Sequence, residues 1–309
     1  VTGALLVVVA WLALLHWGQP PRETIYWNTL FDGGHAVGFA VSAWALELVL
    51  RRWTPQLSPW KRAGTAALVA CGLAVLTELA QFADPRRQPS VGDTLRDVAG
   101  VAAYLALRYW HAGSWRRPAV RLALAATLAA LAAFTFGPWV RAANAYRQRD
   151  AAFPVVVGFE RGWQDAFLTP SHATIAPVQS GREAGTPEPT ARLVLEPGRY
   201  PGFSVDELSP DWRGYERLAI GIQVAGPAGL DLMLRLHDSR HTGEERDRFN
   251  RLLRLHPGWQ EISIPLREVA QAPDGRLLDL ADMRGVSVFA PGLTAPAEVR
   301  MTPLRLVSP

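Results

Sequence analysis

The sequence predicts an α+β multidomain chain: an α-helical transmembrane bundle of five spans followed by an all-β jelly-roll sandwich. Three observations predict it. Residues 1–136 are dominated by Ala, Leu, Val and Trp in long uncharged runs. From about residue 151 the chain turns polar, with Pro, Gly, Arg and Asp spread evenly. Within that polar half, short apolar runs alternate with turn sequences. The mean hydropathy of +0.04 therefore averages two unlike halves. The expected domains are residues 1–140 in the membrane, a linker over 141–152, and an extracytoplasmic sandwich over 153–309.

The expected spans are about 1–17, 34–50, 62–82, 92–110 and 119–139, each near the roughly 20 residues a bilayer requires. The first, "VTGALLVVVAWLALLHW", lacks the basic leader and small-x-small site of a cleavable signal peptide, so it is read as a retained helix. Basic residues set the orientation. The loop "RRWTPQLSPWKR" carries four of them and no acid, and "RYWHAGSWRRPAVR" carries Arg108, Arg116, Arg117 and Arg121. Both are expected in the cytoplasm, although Arg86 and Arg87 on the opposite side run against the pattern. Five spans then put the N-terminus inside and residues 140–309 outside. The chain is thus expected to be a multi-pass protein of a bacterial inner membrane, with a periplasmic C-terminal domain.

The net charge is +4, Lys61 is the only lysine, and many arginines flank apolar segments. That is topology rather than a nucleic-acid footprint, for which a basic stripe with interleaved aromatics would be needed. Cys71 is the one cysteine, so the polar half must fold without disulfides. No Ser-His-Asp motif, P-loop, dinucleotide fingerprint or zinc-ligand cluster is present and no cofactor is implied; a metal held by Asp, His and Glu is the weaker alternative, since no H-x-x-x-H or HExxH spacing supports it.

The expected topology brings three polar pairs to one membrane face: Asp32 with His35, Glu78 with Gln81, and Asp93 with Asp97. Their i,i+3 and i,i+4 spacings put each pair on one side of its helix. Gly38, Ser42 and Gly100 continue these stripes with small residues that let helices approach. Ionisable residues inside a span are costly and mark a site by default. Each has a bland alternative: Asp93 as a helix-start acid, Arg86 and Arg87 as headgroup anchors, and Glu47 with Arg51 as a cytoplasmic i,i+4 pair. The convergence of six polar residues from three helices favours a site. His35 can shuttle a proton near neutral pH, and Arg86 and Arg87 suit a phosphate headgroup.

The segments "FDGGHAVGFAVSAWAL" and "TELAQFADPRRQPSVGDTLRDVAG" resemble the two signatures of the VanZ-like membrane family: D-x-x-H, then E-x-x-Q, an arginine and a D-x-x-x-N-x-x-G helix start. The resemblance covers about residues 1–110 and marks Asp32, His35, Glu78, Gln81, Arg87, Asp93 and Gly100. Asp97 stands where that family has Asn. The family is named for a protein associated with resistance to the glycopeptide teicoplanin. The resemblance implies a cell-envelope location and a lipid- or glycan-related task, without naming a reaction.

In the polar half, "PVVVGFE", "ARLVLEP", "RLAIGIQV", "LDLMLRLHD", "NRLLRLH", "QEISIPL", "GVSVFAP" and "PLRLVSP" read as strands. "EPGRYPG", "VAGPAG", "HPGW" and "APDG" read as turns, and "LREVAQ" as a short helix. Eight to ten strands over this length suggest a jelly roll. The pieces "HD", "DRFNR", "PGWQEISIPL" and "AP.GR.LDL" resemble the galactose-binding-like sandwiches of the carbohydrate-binding-module type, with relatives in the complex I assembly factor 30 family. That resemblance implies a glycan-binding domain. Its candidate contacts are His237, Asp238, His241, Arg248, Asn250 and Trp212, while Trp259 and Phe249 are expected in the core, and Asp247 and Arg248 have the alternative role of pinning a loop. Three functions stay open: an enzyme acting on envelope glycan or lipid-linked glycan, a non-catalytic anchored scaffold, and an assembly factor whose sandwich grips protein. The expected partners are membrane lipid and lipid-linked or cell-wall glycan.

Overall fold

The computed structural model describes residues 3, 6, 8–11, 20–81, 90–112, 117–159, 162–178 and 191–309. The chain divides into two compact units, Val1–Ala143 and Asn144–Pro309.

The first unit is helical. Helices α1 (Ile25–Trp53), α2 (Pro59–Gln81), α3 (Val91–His111) and α4 (Pro118–Ala152) follow one another. Thr24 caps α1 by accepting a hydrogen bond from the Trp27 N–H, and Ser90 does the same for α3 through the Asp93 N–H. Each side chain satisfies a backbone donor that the first helical turn leaves orphaned. The packed face of α2 is a stripe of Ala63, Ala66, Ala67, Ala70 and Ala74. With side chains this small, α1 and α3 close on it through Phe39, Ala43, Val101 and Tyr104. Gly100 carries the closest approach, since a Cβ there would collide with the Ala36 carbonyl of α1. The outward residues of α2 (Leu68, Leu76 and Leu79) are more than half exposed.

Among the described residues three helices are long and apolar enough to cross a membrane: Ile25–Trp53, Pro59–Gln81 and Pro118–Ala152. Helix α3 lies where the fourth span is expected, but Asp93, Arg96, Asp97 and Arg108 set it apart from those three. Most of the expected first span lies outside the described residues, though residues 8–11 are helical.

The second unit begins within α4. Its last turns are fastened by the Tyr146 hydroxyl to Glu207 and by Arg149 Nη1 to the Glu207 carbonyl at 2.6 Å. Two antiparallel sheets follow. The larger contains β1 (Val155–Val157), β3 (Ala173–Pro177), β4 (Ala191–Leu195), β6 (Arg217–Val224), β9 (Gly258–Pro265), β11 (Ala297–Met301) and β12 (Leu304–Val307). The smaller contains β2 (Leu168–Ser171), β5 (Gly202–Asp206), β7 (Leu230–Asp238), β8 (Phe249–Leu255) and β10 (Met283–Phe289), in the order β2-β5-β10-β7-β8. The short helix α5 (Leu266–Ala270) falls where "LREVAQ" predicts it.

Among the described residues twelve strands form where eight to ten are expected. Of those with no counterpart in that reading, β2 and β3 are largely exposed, so they lack the apolar alternation by which a strand is recognised. The alternation in "LDLMLRLHD" is realised: Leu230, Leu232, Leu234 and Leu236 are buried, while Asp231, Met233, Arg235 and His237 face outward. In β6 the inner residues are Leu218, Ile220, Ile222 and Val224, and the other face carries the small Ala219 and Gly221.

Candidate functional sites

Two polar arrangements merit description, one in each unit. In the helical unit, Asp32 and His35 sit one turn apart on α1, and Asp93, Arg96 and Asp97 open α3. His35 Nδ1 lies 3.2 Å from Asp97 Oδ1. Arg96 donates to Asp93 at 2.6 Å and pairs with Asp32 at 3.4 Å. Glu78, at the end of α2, accepts the Ser90 N–H at 2.9 Å and so closes on the start of α3. Asp97, Glu78 and Gln81 are all buried. Asp32, His35, Glu78, Asp93 and Asp97 thus form a connected region across three helices. Arg87 lies outside the described residues, as does Arg86.

Arg96 was missed by sequence reasoning. Its signal was an arginine three residues after Asp93, a helical spacing for an ion pair. Glu47 requires a correction. It is not paired with Arg51 at the surface. It is 5% exposed and accepts the Tyr104 hydroxyl at 2.6 Å and Arg108 Nε at 3.2 Å. The partners come from α3, more than fifty residues away, because an apolar helix interface leaves a buried carboxylate only cross-helix donors.

In the sandwich, Arg276 organises the loops at one end of the smaller sheet. Its guanidinium grips Asp238 through two bonds of 2.6 and 2.9 Å and reaches Asp247 through Nε. The Asp279 N–H adds a third bond to Asp238, at 2.9 Å. Burial pushes the Asp238 carboxyl up, but these donors outweigh it and hold the pKa below the ordinary value. Hydrogen bonds from Arg276 hold Asp247 well below the usual carboxylate range. The motif pieces "HD", "DRFNR" and "GR" therefore meet in one structural clasp.

Two of the candidate glycan contacts are enclosed rather than displayed, Asp238 by that clasp and Trp212 by the core. Asp238 is 1% exposed, with its oxygens occupied. Trp212 is fully buried, and its Nε1 donates to the Ser209 carbonyl. An enclosed indole offers no stacking face.

The other candidates lie on or beside the solvent face of the smaller sheet. Strand register sets its pattern, since residues directly opposite on paired strands share a face. One rung runs Asp206, Gly285, His237. The next runs Thr169, Ser204, Ser287, Arg235, Asn250. A third runs Ser171, Gly202, Phe289, Met233, Leu252. The face is low at the middle of its first two rungs, where Gly285, Ser287 and Ser204 occupy the central strands. Its walls are polar. Asn250 accepts from Arg235 Nε at 3.2 Å and donates to the Glu245 carbonyl at 3.0 Å. Arg235 lies over the Phe289 ring, and the half-exposed Tyr200 meets the same ring edge-on.

His237 packs beside His241, with ring centroids 5.0 Å apart. Burial lowers the His237 pKa below its ordinary value, so the neutral ring is favoured. Its Nδ1 lies 3.2 Å from the Asp238 carbonyl. In the neutral ring, donation there leaves Nε2 as an acceptor. His241 faces the Asp247 carbonyl, and Arg248 has a buried Nε without a hydrogen-bond partner among the described residues. Arg235, Asp206, Ser204, Ser287 and Tyr200 were not anticipated from sequence. Alternation placed Arg235 outward, but the rungs depend on cross-strand register. Among the described residues no group of three metal-ligating side chains occurs.

No family model matches the chain, and no curated protein matches it. Among solved structures, an exo-β-agarase shares 16% identity at a TM-score of 0.41, covering 50% of this chain and 25% of its own. This chain therefore spans a quarter of that enzyme's length. The family 11 carbohydrate-binding module from Clostridium thermocellum, in complex with a β-1,3-1,4-mixed-linked tetrasaccharide, shares 12% identity at a TM-score of 0.35, covering 46% of this chain and 86% of its own. A family 30 carbohydrate-binding module of a Clostridium thermocellum cellulosomal cellulase shares 15% at 0.30, covering 45% and 93%. Likenesses this distant carry no argument about ligand or reaction.

Proposed function

We propose that the chain is a multi-pass protein of the bacterial inner membrane whose extracytoplasmic sandwich, read as a jelly roll, binds cell-envelope glycan on the solvent face of its smaller sheet. The observation that carries this reading is the set of side-chain rungs on that face. A saccharide presents hydroxyls that both donate and accept, together with apolar C–H faces. The rungs supply acceptors from Asp206, donors from Arg235, and groups of both kinds from Ser204, Ser287 and Asn250, with Tyr200 and Phe289 at one end. Successive rungs on one face lie roughly 6–7 Å apart, from a rise of about 3.3 Å per residue. That spacing lets consecutive groups of a sugar chain meet consecutive rungs.

In this reading the VanZ-like membrane part has five spans with its N-terminus in the cytoplasm. The cluster of Asp32, His35, Glu78, Asp93, Arg96 and Asp97 faces outward and takes the headgroup of a lipid-linked glycan. His35 with Asp97 is the pair able to exchange a proton, and Arg96 is held between two carboxylates as a fixed positive centre.

The test uses the full chain in nanodiscs on an array of envelope and plant-type oligosaccharides. Binding is expected for the parent protein, weakened at least tenfold by Arg235→Ala and by Asn250→Ala. Retention of a protein partner with no glycan bound would instead favour an assembly role. For the membrane part, mass spectrometry of co-purified lipids is expected to show a lipid-linked glycan with the parent chain and its loss with Asp93→Asn. Equal lipid content in both would sink that half of the reading.

A further inference from the structure

The larger sheet carries a pocket that the reading above does not use. Strand β6 is paired along its whole length with β9 on one edge, and successively with β11 and β12 on the other. Where β11 gives way to β12, Thr302 turns its hydroxyl inward and accepts the Gly221 N–H at 2.8 Å. The Thr302 N–H returns a bond to the Gly221 carbonyl at 2.9 Å. Between Arg217 and Gln223 the outer face of β6 carries only Ala219 and Gly221, and the Trp259 ring of β9 lies across Gly221, in space that a Cβ would fill. The result is a cavity of about 250 Å³ whose lining includes Trp259, Glu261, Thr302 and Arg305 over that small-residue floor. It falls just below the roughly 300–1,000 Å³ of drug-sized sites and suits a single ring with its substituents.

The chemistry of the walls narrows the occupant. Trp259 is only half buried, although its place in the apolar-looking "GWQEISIP" suggests a core residue. Glu261 and Arg305 are exposed and stand on opposite sides of β6, opposite Gly221 and Ala219 respectively. Some exposed arginines of the sandwich, Arg192, Arg213 and Arg251, are paired with acids. Glu261 and Arg305 make no ion pair or side-chain hydrogen bond among the described residues. A carboxylate is an acceptor only and a guanidinium a donor only. A ligand that uses both, and also covers an indole, needs adjacent groups that donate and accept, flanked by an apolar C–H surface. A pyranose ring meets that description.

We propose that this pocket is a second saccharide site, taking one pyranose residue, with Glu261 accepting from and Arg305 donating to its hydroxyls and Trp259 covering its C–H face. The proposal rests on reading the sandwich as a glycan binder, but not on the smaller-sheet face. The two sites lie on the outer faces of different sheets, and packed sheets are separated by about 10 Å with their outer faces directed away from one another. One oligosaccharide cannot lie on both. The sandwich therefore holds two glycan chains at once, and gains avidity when both belong to one polymer network.

The full chain in nanodiscs is titrated with tetrasaccharides of β-linked glucose and of β-linked N-acetylglucosamine, following tryptophan fluorescence and bound stoichiometry. Two sites per chain are expected for at least one probe. Glu261→Gln/Arg305→Gln changes only exposed side chains and is expected to abolish one site, with at least a tenfold loss of its affinity. Arg235→Ala is expected to abolish the other site alone. Trp259→Phe should remove the fluorescence response of the Glu261/Arg305 site. One site per chain, insensitive to Glu261→Gln/Arg305→Gln, overturns the second site and leaves the first reading standing. One site lost only in that double variant overturns the smaller-sheet reading instead. No binding of either probe at millimolar concentration overturns both.

Discussion

Asp97 in the helical unit and Asp238 in the sandwich are equally buried, each 1% exposed, yet they are held in different ways. Asp238 receives two bonds from Arg276 and one from a backbone N–H. Among the described residues Asp97 has His35 alone, at 3.2 Å. A carboxylate offers about four lone-pair positions, so Asp238 is nearly saturated and Asp97 is not. A saturated, ion-paired group is fixed in its charge and serves the fold. A group with one partner, itself able to change protonation, retains capacity for an incoming donor. The same contrast holds between the two ends of the helical unit, where Glu47 is saturated by Tyr104 and Arg108.

The largest way to break the comparison is Arg276→Ala. It leaves Asp238 buried without its counter-charge, and removing one partner of a buried pair costs about 3–5 kcal/mol. Thermal unfolding followed by near-UV circular dichroism should show the sandwich transition falling sharply, while far-UV helicity of the membrane unit persists. Acid should reach the same clasp. The folded-state pKa values of Asp238 and Asp247 are depressed below 3.8. Their contribution is present above that ordinary value and is lost as pH falls through the folded values. His237 is depressed below 6.5, so the unfolded chain takes up its proton first and stability already begins to decline there. Melts between pH 7 and pH 3 are expected to fall throughout, and Arg276→Ala should flatten the lower part of the curve.

Much of this could be read from the sequence, and the limits are physical. Helices α1 to α4 follow from apolar runs, although α1 (Ile25–Trp53) begins before the expected span. Strands β6, β7 and β10 follow from two-residue alternation. The polar pairs on α1, α2 and α3 follow from helical spacing, which is local. What could not be read is register. Nothing within "LDLMLRLHD" tells that Arg235 stands opposite Asn250 and Ser287, since that depends on two other strands. Trp212 and Trp259 were misjudged in opposite directions for one reason: indole is large, apolar and polar-tipped, so its composition does not choose between core and surface. Gly221 made the difference for Trp259, and its consequence is visible only once β6 and β9 are paired.

A middle-sized effect tests the packing that brings the helical cluster together. Gly100→Ala places a methyl group against the Ala36 carbonyl, and overpacking costs typically about 1–3 kcal/mol. The expected result is a lower unfolding midpoint in detergent together with a weaker His35–Asp97 contact, because Asp97 lies one turn from Gly100 on α3. The histidine side-chain resonances of His35 should shift in the variant even though neither partner is altered. An unshifted His35 would mean that α1 and α3 are not held in register by that approach.

The smallest effect is the sharpest test of the opening contrast. Asp97→Asn preserves shape and can still hydrogen-bond His35, so its stability cost should stay near one ordinary hydrogen bond, about 0.5–1.5 kcal/mol. Asp238→Asn has the same geometry but removes the charge that Arg276 grips with two bonds, and should cost clearly more. Paired melts of the two variants measure the difference directly. If Asp97→Asn proves as damaging as Asp238→Asn, then Asp97 is a structural clasp like its counterpart, and the helical cluster loses its claim to spare capacity. If it is mild, the carboxylate is kept at that position for something other than holding α1 against α3, and the next variable to follow is the lipid that co-purifies with each form.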